Sequence, residues 1–98
     1  MNYPSKIATT DTDCLFRAIL SLETVEDCYR FFEDLCTIKE IKDMTLRFKV
    51  AKMLTAKVSY QIITAETNAS TATIGRVNKS LIYGADGYKI VFDKMKKG

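Results

Sequence analysis

The sequence contains no histidine, and this absence limits the chemistry that the chain can perform. Histidine is the side chain that most often acts as a general acid or base near neutral pH. The three cysteines, Cys14, Cys28 and Cys36, have no CxxC spacing, whereas zinc sites usually combine clustered cysteines with histidine. They stand at or beside apolar positions of predicted helices, which indicates small hydrophobic core residues rather than nucleophiles. We therefore expect no metal, no catalytic residue and no enzymatic activity.

Residues that interrupt helices are also scarce, since the chain has one proline and four glycines in 98 residues. Apolar residues recur at helical spacing almost throughout, which predicts an all-α fold. No apolar run approaches the ~20 residues of a membrane span, and the first ten residues lack the apolar core of a secretory signal. We expect a cytoplasmic protein. Its net charge of +3 is compatible with a nucleic-acid partner but does not establish one.

The apolar spacing predicts six helices in a single domain spanning residues 1–98. The first covers 12–22, and the second follows Thr24, a favourable N-cap with acidic residues in the next turn. Thr37 and Glu40 have the form of a capping box, so the third helix should begin there and end near residue 55. The remaining helices are predicted over 59–66, 71–82 and 87–96. We assign dimerisation to residues 1–57, a helix-turn-helix to 59–82, and a last helix with a basic tail to 83–98.

The third predicted helix is apolar on two sides, one containing Met44 and Phe48 and the other Leu46 and Val50. A helix of this kind needs two apolar neighbours. We interpret the second side as a contact with another subunit, because a chain of this length has few other elements to cover it. A central helix enclosed entirely by its own chain is the alternative.

Residues 59–81 have the form of a helix-turn-helix, which requires a short helix, a tight turn and a second helix free to enter the major groove. Asn68 stands at the turn, where a positive φ is needed and asparagine is the best choice after glycine. Ser70 is a favourable N-cap for the second helix. The two helices are expected to pack together through four apolar residues: Ile63, Ala69, Ile74 and Val77.

The outward face of the second helix carries only small, polar or basic residues: Ser70, Thr71, Ala72, Thr73, Gly75, Arg76 and Lys79. Small side chains let the backbone approach base edges, and threonine and alanine methyl groups can contact thymine. Hydroxyl groups and cations can bind phosphates. This face predicts double-stranded DNA as the partner. A hairpin that docks on a protein of the transcription machinery is the alternative.

The stretches CYRFFEDLCTIKEI, RFKVAKML and ETNASTATIGRVNKSL resemble the Trp repressor family, and especially its YerC/YecD group. With the short last helix, the resemblance covers most of the chain. It implies an all-helical, TrpR-like bundle in which two chains interlace as a homodimer. It also implies a transcriptional regulator, a repressor by family, that presents two helix-turn-helix units to a roughly palindromic operator.

The resemblance further implies roles for individual residues of the DNA-binding surface. Thr71 and Ala72 match base-contacting positions of the second helix. Gly75 stands where the tryptophan-sensing repressor has threonine, which implies that one contact is lost. Four residues match positions at or near phosphates and base edges: Ser59, Gln61, Thr64 and Thr73.

A co-repressor pocket is the second site that the resemblance implies, and its positions are matched by Thr37, Arg47, Arg76 and Ser80. A simpler interpretation of the two arginines is an exposed side chain at 47 and a phosphate contact at 76. Val77 stands where the sensing repressor has glycine, and its stiff β-branched side chain is expected to intrude on the space of an indole ring. A small-molecule effector, if one binds, is therefore not expected to be L-tryptophan.

Overall fold

A computed structural model describes residues 1–97 of the protein as six α-helices, with no β-strand in that range. Every predicted helix is present, with ends no more than two residues from the predicted bounds, so the all-α prediction is confirmed. The chain divides into two compact units, of which the first is Met1–Ile38 and the second begins at Lys39. The helices are α1 Thr10–Leu20, α2 Val25–Leu35, α3 Ile38–Thr55, α4 Tyr60–Thr67, α5 Thr71–Tyr83 and α6 Gly87–Lys97.

Hydroxyl N-caps begin both helices of the first unit. Oγ1 of Thr9 accepts a hydrogen bond from the backbone N–H of Thr12 at 3.0 Å, and Oγ1 of Thr24 accepts one from Asp27 at 3.0 Å. Each bond satisfies one of the donors that a helix leaves free at its N-terminus. The predicted cap at Thr24 is thus confirmed.

The apolar side chains of the first unit remain accessible. No residue of Met1–Ile38 is buried, and Leu20 and Val25 are 82% and 73% exposed. The expectation that the cysteines are core residues is wrong for the single chain, because Cys14 and Cys28 are exposed and Cys36 is only half-buried. They lie among helix residues whose apolar face this chain does not cover.

The core lies in the second unit and is built from α3, α4, α5 and the turn between the last two. The buried side chains are Val50, Ala51, Ile63, Ala69, Ile74 and Val77. On α3, Phe48 also contacts Phe92 of α6, with 5.3 Å between ring centroids. Helix α3 therefore has apolar neighbours from its own chain through both Val50 and Phe48. Near its beginning it remains accessible, since Met44 is 39% exposed.

The junctions between helices of the second unit depend on special backbone positions. Lys57, Asn68 and Asp86 have φ angles of 64°, 60° and 62°, a region that glycine and asparagine tolerate best. Gly84 ends α5, and its N–H donates to the carbonyl oxygen of Ser80 at 2.9 Å. A Cβ at position 84 would collide with that oxygen, so the close approach requires glycine. The predicted cap at Gly84 is confirmed.

Candidate nucleic-acid interface

The turn between α4 and α5 is held by a short network of hydrogen bonds. Asn68 adopts the left-handed conformation predicted for it, and its N–H donates to the carbonyl oxygen of Thr64 at 2.9 Å. Oγ1 of Thr67 donates to the carbonyl oxygen of Ile63 at 2.7 Å and accepts from the N–H of Ala69 at 3.1 Å. These bonds fix the length of the turn and the direction in which α5 begins.

Ser70 begins α5 in the predicted way. Its Oγ accepts a hydrogen bond from the backbone N–H of Thr73 at 3.1 Å and lies 3.0 Å from Oγ1 of the same residue. The four predicted packing residues of the hairpin are all buried, with exposed fractions between 0% and 2%. Because these residues turn one side of α5 toward the core, the opposite side of α5 faces solvent.

All ten predicted DNA-contacting residues are accessible. Thr73 and Gly75 are half-buried, and the other eight are exposed: Ser59, Gln61, Thr64, Ser70, Thr71, Ala72, Arg76 and Lys79. Nothing lies within 4 Å of the position that a Cβ would take at Gly75. A glycine inside a helix costs about 1 kcal/mol relative to alanine, and the packing of this chain does not require one here. Because Gly75 has no side chain, nothing projects from the outer surface of α5 at this position.

Charge is distributed unevenly between the two units. Residues 39–98 contain 12 lysines and arginines and five acidic residues, whereas residues 1–38 contain three and seven. The resulting net charges, +7 and −4, account for the +3 of the whole chain. The unit that contains the helix-turn-helix is therefore strongly basic, as expected of a surface that binds phosphates.

Three of the residues that match the co-repressor pocket lie in the second unit, at two depressions that share Arg76. Arg47 and Arg76 line one cleft of about 270 Å³, together with Asp43, Leu46, Ala72 and Thr73. Ser80 lines a different hollow, of about 240 Å³, which it shares with Arg76, Lys79, Tyr83 and Gly84. Thr37 belongs to the first unit. Within the second unit, Arg76 is thus common to two separate depressions.

Val77 is not among the residues that line the cleft between Arg47 and Arg76. It is 2% exposed and packs in the core, since it follows Ile74 by three residues on the same side of α5. That the Val77 side chain intrudes on the space of an indole ring stays a prediction.

The residue that sequence analysis missed in this cleft is Asp43, whose Oδ2 accepts a hydrogen bond from Nζ of Lys39 at 2.9 Å. The sequence contained the information needed to find Asp43, because this residue precedes Arg47 by four positions and therefore lies on the same side of α3.

Other kinds of site find little support in the part of the chain that the structure describes. No group of three or more cysteine and acidic side chains is placed to hold a metal ion between residues 1 and 97. Over the same residues, no helix has the length and apolarity needed to cross a bilayer. The surface of the α4–α5 hairpin remains the strongest candidate.

These features define an all-helical protein with a helix-turn-helix in a basic unit. A family model described as Trp repressor protein matches residues 10–96, almost the whole chain. The chain belongs to the Trp repressor family, as the sequence motifs implied. This is a family of DNA-binding regulators rather than of enzymes.

The chain is similar over nearly its full length to other members of this group. The uncharacterized protein YerC of Bacillus subtilis (strain 168) is 49% identical over 92 residues, which are 94% of this chain and 88% of that protein. A crystal structure of a candidate Trp repressor from Staphylococcus aureus has a TM-score of 0.88 and 47% identity, covering 93% of this chain and 91% of the other. A TrpR-like protein from Eubacterium eligens ATCC 27750 has a TM-score of 0.89 and 52% identity, covering 93% and 94%.

Proposed function

We propose that the protein is a sequence-specific transcriptional regulator, a repressor, that binds a palindromic operator as a homodimer in the cytoplasm. The observation that carries this proposal is the first half of α5. Its apolar residues are buried against α3 and α4, while Thr71 and Ala72 are exposed at its capped N-terminus.

The first turn of α5 suits readout of the major groove. Thr71 and Ala72 offer a hydroxyl group and methyl groups without bulk, so the helix can approach base edges closely. Gly75, one turn further along α5, also has no side chain that would hold the helix away from the bases. Arg76 and Lys79 follow on the same exposed side, where they can bind the phosphates that border the groove. The positive end of the helix dipole adds to the attraction for DNA.

The accessible surface of the chain supports the homodimer. It amounts to 8230 Å², whereas a compact monomer of this mass exposes about 5,700 Å². If the two units are treated as separate compact bodies, the expected accessible surface rises only to about 6,800 Å². The excess is larger than the roughly 800 Å² per partner that a stable interface buries. A second copy that covers the apolar residues of α1 and α2 accounts for this excess.

Two identical reading helices related by a twofold axis require an operator of the same symmetry. Each α5 would enter one half-site, and the half-sites would lie about 34 Å apart on one side of the duplex. The two copies of the basic unit would then face DNA together.

We also propose that operator binding does not require L-tryptophan. The cleft that contains Arg47 and Arg76 also contains the carboxylate of Asp43, which is half-exposed and paired with Lys39. An indole ring in this cleft would remove polar groups from water without giving them hydrogen-bonding partners, which is unfavourable. A polar effector of another kind remains compatible with the cleft.

The proposal is tested by placing two carboxylates on the reading surface. In the double variant Thr71→Glu with Ala72→Glu, we expect affinity to fall at least about a hundredfold, because four added charges per dimer would face phosphates. The duplex is the one most enriched from a random pool by the wild-type protein, and fluorescence anisotropy gives its affinity. The titration is repeated with L-tryptophan, which we expect to leave the affinity unchanged.

The matched control is Ala8→Glu with Ala56→Glu, which adds the same charges at exposed small residues outside α4 and α5. Both double variants should keep the helical circular dichroism of the wild type. If the variant at 71 and 72 bound the duplex as tightly as the control, α5 would not be the reading helix.

A protein-docking hairpin is the second candidate, and Ile62, which is 50% exposed on α4, favours it. Salt separates the two functions, since binding to DNA releases counterions and weakens steeply as the salt concentration rises. Docking through an apolar surface depends much less on salt. A wild-type protein that enriched no duplex would favour this second candidate.

A further inference from the structure

A hollow lies along the last turns of α5 and extends from two of the predicted DNA-contacting residues, Arg76 and Lys79, to the end of the helix. It has a volume of about 240 Å³ and is lined by Arg76, Lys79, Ser80, Tyr83 and Gly84. Every side chain at this hollow carries a hydrogen-bond donor: a guanidinium, an ammonium and two hydroxyl groups. No carboxylate is among its lining residues. A hollow of this composition fits an anion with several oxygen atoms.

Helical spacing places this hollow on the same side of α5 as the reading residues. Arg76 follows Ala72 by four residues, and Tyr83 follows Arg76 by seven, so their side chains fall on one exposed stripe. The side chain of Tyr83 is not held against the core, since Tyr83 is 80% exposed at the end of the helix. The stripe therefore runs without interruption from the N-terminus of α5 to its last residue.

The backbone at the end of α5 offers no favourable group for an anion, so an anion in the hollow must be bound by side chains. The N–H of Gly84 is already bonded to the carbonyl oxygen of Ser80. The carbonyl end of a helix also carries a partial negative charge, which repels anions. Two cations, at Arg76 and Lys79, outweigh this partial charge and attract a phosphate to the hollow. The phenol of Tyr83 then adds a neutral donor at its edge.

We propose that this hollow binds a backbone phosphate of DNA and that the hydroxyl group of Tyr83 donates a hydrogen bond to it. The inference rests on the proposed function and extends the interface by one helical turn beyond Lys79. The DNA backbone is favoured over a free phosphate because the hollow continues the surface that carries Thr71 and Ala72. A duplex that enters at the first turn of α5 brings its own phosphates alongside this surface.

A tyrosine contact differs from a lysine contact in the way it depends on salt. A phenol is neutral, so its bond to a phosphate releases no counterion and leaves the slope of log K against log salt concentration unchanged. Removing a lysine contact reduces the slope by about 0.9 for each phosphate. Because phosphates are common to all sequences, the loss of the tyrosine contact should also be the same for every duplex.

The test compares Tyr83→Phe with the wild type by fluorescence anisotropy, on the most enriched duplex and on an unrelated duplex of equal length. With two hollows per dimer, we expect about tenfold weaker binding to both duplexes at each salt concentration, and an unchanged slope. Tyr3→Phe removes a phenol that is 52% exposed in the first unit and should bind like the wild type. Lys79→Gln should lower the slope.

Wild-type affinity in Tyr83→Phe, or a loss confined to the enriched duplex, would overturn the assignment. A smaller sedimenting mass for Tyr83→Phe would also overturn it, because Tyr83 would then be an interface residue. If inorganic phosphate bound saturably, as measured by tyrosine fluorescence, while the variant bound DNA like the wild type, the hollow would be a free-phosphate site. If the wild type itself bound no duplex, the proposed function would fail, and the failure would not be specific to Tyr83.

Discussion

The two units of this chain differ in both charge and packing. The first, Met1–Ile38, has a net charge of −4 and buries no side chain. The second has a net charge of +7 and contains all six buried side chains of the described residues. The second unit therefore has a core of its own and a charge that suits DNA, whereas the first leaves its apolar side chains accessible. This difference supports the proposal that the second unit recognises DNA and that the first unit mediates dimerisation.

What holds the first unit together within one chain is mostly local. Its caps satisfy backbone donors, and Arg30 donates to Glu26 at 3.0 Å in a pair that is about three-quarters exposed on both sides. Exposed pairs of this kind contribute little, typically below about 1 kcal/mol. Helices of 11 residues are marginal in water without tertiary packing. The apolar side of α2 must therefore be covered to stabilise the unit.

The largest effect is expected from a charge on that side of α2. Tyr29 is 66% exposed in the single chain, and we expect a second copy to bury it. Tyr29→Lys should weaken dimerisation by about a thousandfold, or about 4 kcal/mol, because an unpaired ammonium would be removed from water. Analytical ultracentrifugation measures this change. Asp34→Lys, on the polar side of the same helix, should remain a dimer, and a monomeric Asp34→Lys variant would contradict the assignment of sides.

A smaller effect is expected from the core of the second unit. Ile74 is fully buried, so Ile74→Ala should lower the free energy of unfolding by about 3 kcal/mol through lost burial and a residual cavity. Urea denaturation measures it. Ile82→Ala, at a position 61% exposed on the same helix, should change stability by less than about 0.5 kcal/mol. Equal losses in the two variants would show that Ile74 does not face the core and that Ile82 is not exposed.

The sequence was sufficient to predict the elements and most of the hairpin. Helical spacing and the caps at Thr24 and Ser70 located the helices, because these signals are local and depend only on neighbouring residues. The turn at Asn68 followed from the few residues that tolerate a positive φ. The core of the hairpin followed from its apolar spacing on two short helices. These are the features for which local preference and tertiary packing agree.

Two features could not be predicted in this way. Matching by position grouped Ser80 with Arg47, yet Ser80 lines the hollow that Arg76 shares with Tyr83, because the depression that a side chain lines depends on how the helices are rotated against each other. The exposure of the cysteines was not predicted either, because apolar spacing along a helix does not show whether the same chain covers that side.

The smallest expected effect concerns the helix caps, which both units use and which therefore compare them directly. Ser70→Ala removes the bond to the N–H of Thr73 and should lower the free energy of unfolding by about 1 kcal/mol. Thr9→Ala removes an equivalent bond from α1, at 3.0 Å, and should have a comparable effect on stability.

Of the caps at Ser70 and Thr9, only Ser70 belongs to the proposed DNA-binding surface, so Ser70→Asp separates its two roles. Aspartate caps a helix as well as serine does, and the variant should unfold like the wild type. Its added charge at the N-terminus of α5 should nevertheless weaken binding to the enriched duplex by about tenfold, whereas Thr9→Asp should leave the affinity unchanged. Because stability and DNA affinity would then change independently at one position, the result would distinguish a cap that only supports the fold from one that also borders the phosphates. Equal affinities for Ser70→Asp and Thr9→Asp would place the N-terminus of α5 away from DNA.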